Sequence, residues 1–288
     1  MNFSMLKQPL FSQKNGKKNI AAAKLVIMGA VCGDIIGSWY EFAQTKDYNF
    51  ELFTHRSKFT DDTICTIGIA DALVHQEPFE IQLQYWCRKY PGAGYGGMFR
   101  KWIYSDTMEP YNSWGNGSAM RVSAVGAYAN TFDETMDLAK KSAEITHNDP
   151  EGIKGAQATA LAIYLALTGK NKDEIKNVIE EKFDYNLSRR YNDIQPEYGF
   201  DVSCQKSVPE SIIAFLESDD YESAIRRAIA FGGDADTMGA ITGGIAAAFY
   251  GEIPPYILNE CLNRLPDEIK EVISKFNDTI GCLLYTSD

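Results

Sequence analysis

The chain has 288 residues, 45% hydrophobic and 23% charged, which is enough for one large domain or two ordinary ones with a well-filled core. Its net charge of −11 excludes bulk attraction to nucleic acid or to an anionic membrane surface, so an anionic ligand needs a local positive site. The six cysteines (Cys32, Cys65, Cys87, Cys204, Cys261 and Cys282) show no CxxC spacing and no Cys/His cluster, which argues against zinc and suits a reducing cytoplasm.

In chain order, residues 1–19 are polar and rich in Lys, Asn and Gln, and are expected to be disordered. "KNGKKNIAAAKLVIMGAVCG" has the basic, apolar and small-residue order of a secretory signal, yet Lys24 interrupts its apolar run. It reads instead as the start of a folded domain, with no transmembrane segment in the chain. Apolar residues recur at helical spacing over 22–42, 61–76, 118–130, 133–147, 152–169, 207–218, 220–232 and 265–277. No run alternates with period two over more than a few residues, so strands should be scarce. The expectation is one compact all-α domain over 20–278. Residues 181–207, rich in Tyr, Asn and Asp, read as a long surface excursion, and 279–288 as a flexible tail, frayed or left over from cloning. Gly239, Gly243, Ala247 and Gly251 recur every fourth residue and should give one smooth helix face that a neighbouring helix can approach closely.

Two acidic pairs carry the chemistry. Asp61 and Asp62, in "TDDT" (60–63), stand where a long apolar helix begins, with Thr60 or Asp61 as N-cap. Asp234 and Asp236, in "GGDADT" (232–237), stand before another small-residue helix. On a helix, residues i and i+2 point about 200° apart, so the second pair can converge only in the turn that precedes it. An Asp before a helix is by itself an adequate cap, because helix N-termini favour anions. If the two sites face one another, however, four carboxylates share a small volume. Two like charges about 4 Å apart repel by ~4 kcal/mol even at an effective dielectric of 20. Cations are then required, and oxygen-only ligands from Asp and Thr select Mg²⁺, Mn²⁺ or Ca²⁺ rather than Zn²⁺.

"GDIIGSWYEF" (33–42), "TDDT" (60–63), "GNGSAMR" (115–121), "TH" (146–147) with "GAQATALAIYLAL" (155–167), and "GGDADTMGAITGGIAAAFYG" (232–251) stand in one order along the chain. With these motifs the chain resembles the ADP-ribosylglycohydrolase family over about residues 25–275. The resemblance implies a single compact orthogonal helical domain with a central binuclear site for two divalent cations, Mg²⁺ or Mn²⁺. By position it implies Thr60, Asp61, Asp62, Asp234, Asp236 and Thr237 as metal ligands, with Asp62 and Glu41 as candidate catalytic carboxylates. It further implies substrate contacts from Gly94, Tyr95 and Gly96 in the glycine-rich loop, whose backbone amides could cradle a pyrophosphate. Asn116, Ser118 and His147 complete the implied substrate-binding set. Arg121 is read as a phosphate contact or a helix-surface ion pair, and Asp34 as a residue that orients a loop.

The implied activity is hydrolysis of the glycosidic bond between ADP-ribose and a protein side chain, arginine or serine, in a cytoplasmic monomer. The partner is then an ADP-ribosylated protein or a small ADP-ribose conjugate, with no nucleic acid or membrane. Two rivals differ in class. A di-metal phosphohydrolase would add His ligands, which neither acidic pair has beside it. A non-enzymatic, crystallin-like relative would be expected to lose the acidic ligands, and all of them are present.

Overall fold

In a computed structural model describing residues 18–283, the chain begins with α1 (Ile20–Ala23), α2 (Val26–Gly37), α3 (Asp61–His75), α4 (Phe79–Lys89) and α5 (Gly97–Ile103). It continues through α6 (Gly117–Met120), α7 (Ser123–Tyr128), α8 (Phe132–Glu144), α9 (Pro150–Leu167), α10 (Lys172–Phe183) and α11 (Tyr191–Ile194). It ends with α12 (Cys204–Leu216), α13 (Tyr221–Ala230), α14 (Ala235–Tyr250), α15 (Pro255–Asn263) and α16 (Asp267–Leu283). Among the described residues there is no strand, and one isolated antiparallel bridge joins Gly115 to Ser203. The single all-α domain expected from periodicity is the fold observed.

Several local readings change. The helix expected over 22–42 is two helices, because Leu25 N–H turns back to Ala22 O at 2.9 Å. It also stops at Gly37, leaving Glu41 in a turn whose N–H bonds Gly37 O at 3.1 Å. The helix expected over 118–130 breaks between α6 and α7 at Arg121–Val122. Helices such as α10 escaped the periodicity, since its buried stripe is only Ile175, Ile179 and Phe183 on an otherwise charged helix. The excursion at 181–207 is packed rather than loose: Tyr185, Leu187 and Tyr191 are buried. Lys46 Nζ ties this stretch to the body by donating to the carbonyls of Gln195, Tyr198 and Phe231.

The expected disorder at 1–17 and flexibility at 284–288 lie outside the described residues. Lys18 and Asn19, expected to be disordered, are packed: Lys18 Nζ donates to the carbonyls of Ala127 and Ala129, and Asn19 caps α1. Helix α16 runs to Leu283, five residues into the expected tail. The stretch Ile20–Gly37 is long and apolar enough to cross a membrane, and 78% of it is buried inside the protein. Being apolar all round is what a central core helix requires.

Helix α2 is that centre. Gly29, Gly33 and Gly37 fall one turn apart and face α14 backbone to backbone. A Cβ on Gly33 would lie 1.9 Å from Gly239 O, and one on Gly243 would lie 2.2 Å from Gly29 O. The smooth face expected on α14 is therefore matched by an equally smooth face on α2. Gly251 is not part of it. That residue caps the C-terminus of α14 with φ 67°, a left-handed conformation that glycine adopts without penalty.

Candidate active site

Helix α2 positions both acidic pairs. From its fully buried last turns, the Asp34 carboxylate accepts hydrogen bonds from Thr60 N (2.9 Å), Thr60 Oγ1 (2.8 Å), Thr63 N (3.1 Å) and the Thr63 hydroxyl. These four bonds fix the start of α3. Thr60 then serves as its N-cap, accepting from Asp62 N at 3.3 Å, with Asp61 and Asp62 in the first turn. The glycine contact brings the start of α14 beside the end of α2, where Asp234 occupies the N-cap position and Asp236 the first turn. Asp34 thus orients the loop and helix start, as its place in the sequence suggested.

The outcome is one cavity of about 580 Å³ whose lining includes Glu41, Asp61, Asp62, Asp234, Asp236 and Thr237. Oxygens of Glu41, Asp234 and Asp236 all lie within 4.8 Å of one another. Asn116 Nδ2 donates to Asp234 Oδ2 at 2.8 Å, while Asp62 Oδ1 is buried with no hydrogen-bond partner. Among the described residues none of these carboxylates forms an ion pair with Lys, Arg or His.

Electrostatics follow directly. Burial, reinforced by the charges of Asp236 and Asp34, pushes Asp61 up to about 8 and Glu41 to about 7. Burial likewise raises Asp234 to about 6, and Asp62 and Asp236 well above the usual carboxylate range. Such a group of acids can ionise together only around compensating positive charge. The donors are carboxylate and hydroxyl oxygens, the set preferred by hard divalent cations. An unpartnered oxygen on Asp62 and three converging carboxylates therefore fit a metal.

The same cavity is also lined by Tyr111, Trp114, Asn116, Arg121, His147 and Val202. Gly94 and Gly96 form a further wall, and the Ala93 carbonyl accepts from Asp61 N at 3.1 Å, tying the glycine-rich loop to the first acidic pair. Gly94 has φ 122°, and a Cβ there would lie 3.0 Å from Asp61 Oδ1, so the loop can pass this carboxylate only as glycine.

Of the residues singled out in the sequence, the structure brings eleven to this cavity: Glu41, Asp61, Asp62, Gly94, Gly96, Asn116, Arg121, His147, Asp234, Asp236 and Thr237. Three lie off its wall. Tyr95 turns into the core and packs on Phe99, with ring centroids 5.7 Å apart. Ser118 is fully buried and donates to Gly152 O at 2.6 Å. Thr60 is taken up by Asp34. Arg121 forms no surface ion pair: it is 1% exposed, with Nη2 donating to Ser142 O and Thr146 Oγ1. The residue most clearly missed is Trp114, on the cavity wall yet 50% exposed. Its position just before the Gly115–Asn116 turn was the available signal.

The family model for ADP-ribosylglycohydrolase matches residues 17–282. Human ADP-ribosylhydrolase ARH3 is 26% identical over 78% of this chain and 84% of its own length. The chicken ARH3 is 29% identical over 70% of this chain and 73% of its own. The ADP-ribosyl-[dinitrogen reductase] glycohydrolase of Rhodospirillum rubrum is 22% identical over 85% and 92%. Among solved structures, an ADP-ribosylglycohydrolase-related protein superposes with a TM-score of 0.68 at 22% identity, covering 92% of this chain and 99% of that one. With a helical fold of that kind and both acidic pairs drawn to one cavity, the chain belongs to the ADP-ribosylglycohydrolase family.

Proposed function

We propose that this protein hydrolyses the glycosidic bond joining ADP-ribose to a protein side chain, arginine or serine, using two divalent cations, Mg²⁺ or Mn²⁺. The observation that carries the reading is the convergence of five carboxylates, from Glu41, Asp61, Asp62, Asp234 and Asp236, on one nucleotide-sized cavity that Tyr111, Trp114 and His147 also line. Asp61, Asp62, Asp234, Asp236 and Thr237, with Thr60 in reserve behind them, would hold the cations. Bound there, divalent ions supply Lewis-acid polarisation and compensate the carboxylate charge.

The chain's own residues then divide the remaining work. Asn116, already on Asp234, orients the ribose end of the substrate, and the exposed face of Trp114 offers a stacking surface for the base. Glu41 lies on a turn, half-buried, with an oxygen within 4.8 Å of oxygens of Asp234 and Asp236. It is placed to take a proton from the attacking water or return one to the leaving side chain. Asp62, with its unpartnered Oδ1, is the second carboxylate for that exchange. Cleavage through an oxocarbenium-like transition state needs both a proton acceptor and a proton donor.

The test is to incubate the protein with arginine- and serine-ADP-ribosylated peptides in parallel and to measure free ADP-ribose and free phosphate. Release of ADP-ribose from one or both supports the reading; phosphate without ADP-ribose refutes it in favour of a phosphohydrolase. The double variant Asp61→Asn with Asp62→Asn should lose turnover while keeping the helical circular-dichroism spectrum, and wild-type turnover in that variant would refute the ligand assignment.

A further inference from the structure

Behind His147, which lines the cavity, lies a buried chain of polar groups that the scheme above does not use. Arg121 Nη2 donates to Thr146 Oγ1 at 2.8 Å, and Thr146 Oγ1 lies 2.7 Å from His147 Nδ1. We propose that Thr146, held by Arg121, is a positioning residue that fixes His147 in its Nε2–H tautomer and so keeps a hydrogen-bond donor aimed into the cavity for an anionic oxygen of the ligand. The identification of that oxygen as a diphosphate oxygen of ADP-ribose rests on the proposed function; the tautomer does not.

The assignment follows from counting donors and acceptors. A guanidinium has only donors, so Thr146 Oγ1 must accept from Arg121. Thr146 is 0% exposed, and among the described residues its hydroxyl hydrogen has no acceptor in reach other than His147 Nδ1. Were Nδ1 protonated, both neighbours would donate to Oγ1 and the hydroxyl hydrogen would be buried without a partner, which carries the full desolvation penalty of that group. With the proton on Nε2, the Thr146 hydroxyl and His147 Nδ1 are both satisfied. Among the described residues the Nε2 edge has no hydrogen-bond partner of its own, and His147 lines the cavity. It is 3.1 Å from where a Cβ on Gly117 would lie and 3.7 Å from one on Gly115, so these glycines leave room for the ring and for an incoming oxygen.

Two further observations agree. Arg121 pairs with no carboxylate among the described residues and its Nε is unpartnered, so its positive charge is left uncompensated beside the ring. Burial and that charge hold His147 well below the ordinary imidazole range, so the ring acts as a neutral donor of fixed direction.

The full chain, labelled with ¹⁵N-histidine, tests the assignment through its two-bond ¹H–¹⁵N spectrum. There are three histidines, and the His147 signal is the one lost in His147→Asn. The expected spectrum has Nδ1 unprotonated and Nε2 protonated in the wild type. Thr146→Val should give a mixture of tautomers and weaken ADP-ribose binding by calorimetry roughly three- to tenfold, and Thr146→Ser should restore both. A wild-type ring with its proton on Nδ1, or a Thr146→Val protein with unchanged spectrum and affinity, overturns the proposal. Because the tautomer is read without ligand or turnover, failure to release ADP-ribose from any conjugate would end the proposed function and leave this assignment standing.

Discussion

Replacing Gly33 by alanine should separate α2 from α14 and loosen the site with them. The added Cβ would lie 1.9 Å from Gly239 O, while ordinary contact begins at 3.4 Å, so the helices must part by about the difference, 1.5 Å. A gap of even 0.5–1 Å forfeits roughly a quarter to a half of each dispersion contact across the interface. Overpacking of this kind costs about 1–3 kcal/mol and occasionally more, and a backbone clash belongs at the upper end. Alanine's better helix propensity offsets about 1 kcal/mol. The net loss is then about 2 kcal/mol, a fall in Tm of roughly 4–8 °C for a chain of this size. Urea unfolding followed by circular dichroism measures it. Gly92→Ala is the control, since a Cβ there meets nothing within 4 Å; it should be neutral or stabilise by up to ~1 kcal/mol. Because the start of α14 carries Asp234 at its N-cap and Asp236 in its first turn, Mn²⁺ affinity should fall in Gly33→Ala and hold in Gly92→Ala. A Gly33→Ala protein with the wild-type urea midpoint would refute the backbone-to-backbone packing and the account of how the second acidic pair is placed.

Two other outcomes follow from the site. In cation-free protein, stability should fall as pH rises from about 4 to 8, because the folded acids hold protons more tightly than the unfolded chain does and the slope of unfolding free energy against pH is then negative. Asp234 alone moves from 3.8 to about 6, equivalent to at most about 3 kcal/mol; added Mg²⁺ should flatten the profile, and stability that climbs over this range would contradict the charge assignment. Trp114→Ala should weaken ADP-ribose binding by about 1–3 kcal/mol, the range for stacking a base on an aromatic ring, with little change in kcat at saturation. Calorimetry showing equal affinity would remove Trp114 from the ligand surface.

The fold class and the acidic ends of the site were legible because each rests on local chemistry. The 3.6-residue period marked α3, α9 and α13 within a few residues, and paired Asp residues before small-residue helices marked both sites, while their convergence was only what the family resemblance implied. Side-chain direction was not legible. In the loop at 94–96 the backbone is irregular, so Gly94 and Gly96 face the cavity while Tyr95 between them faces the core. Ser118 is one residue beyond Gly117 on a short helix, and a step of about 100° is enough to turn it from the cavity toward Gly152. Trp114 gave no periodic signal, because its value lies in being left exposed at the mouth.

One physical question is why the carboxylates do not simply drift apart. Repulsion between neighbouring acids, ~4 kcal/mol at about 4 Å for an effective dielectric of 20, would be relieved by a small movement of α3 or α14 away from α2. Both movements are opposed at their source. On one side, α14 meets α2 through glycine backbone rather than through flexible side chains, so the interhelical distance is set by hard atoms and close-packed contacts. On the other, α3 is held by four hydrogen bonds to Asp34, two of them from backbone amides that have no alternative partner at a helix start. The acids therefore answer their repulsion by taking up protons or cations instead of by moving. That is the condition for a site whose geometry exists before its cations arrive, and it explains why α2, which contributes Asp34 and three glycines but no cavity-lining acid, governs the whole arrangement.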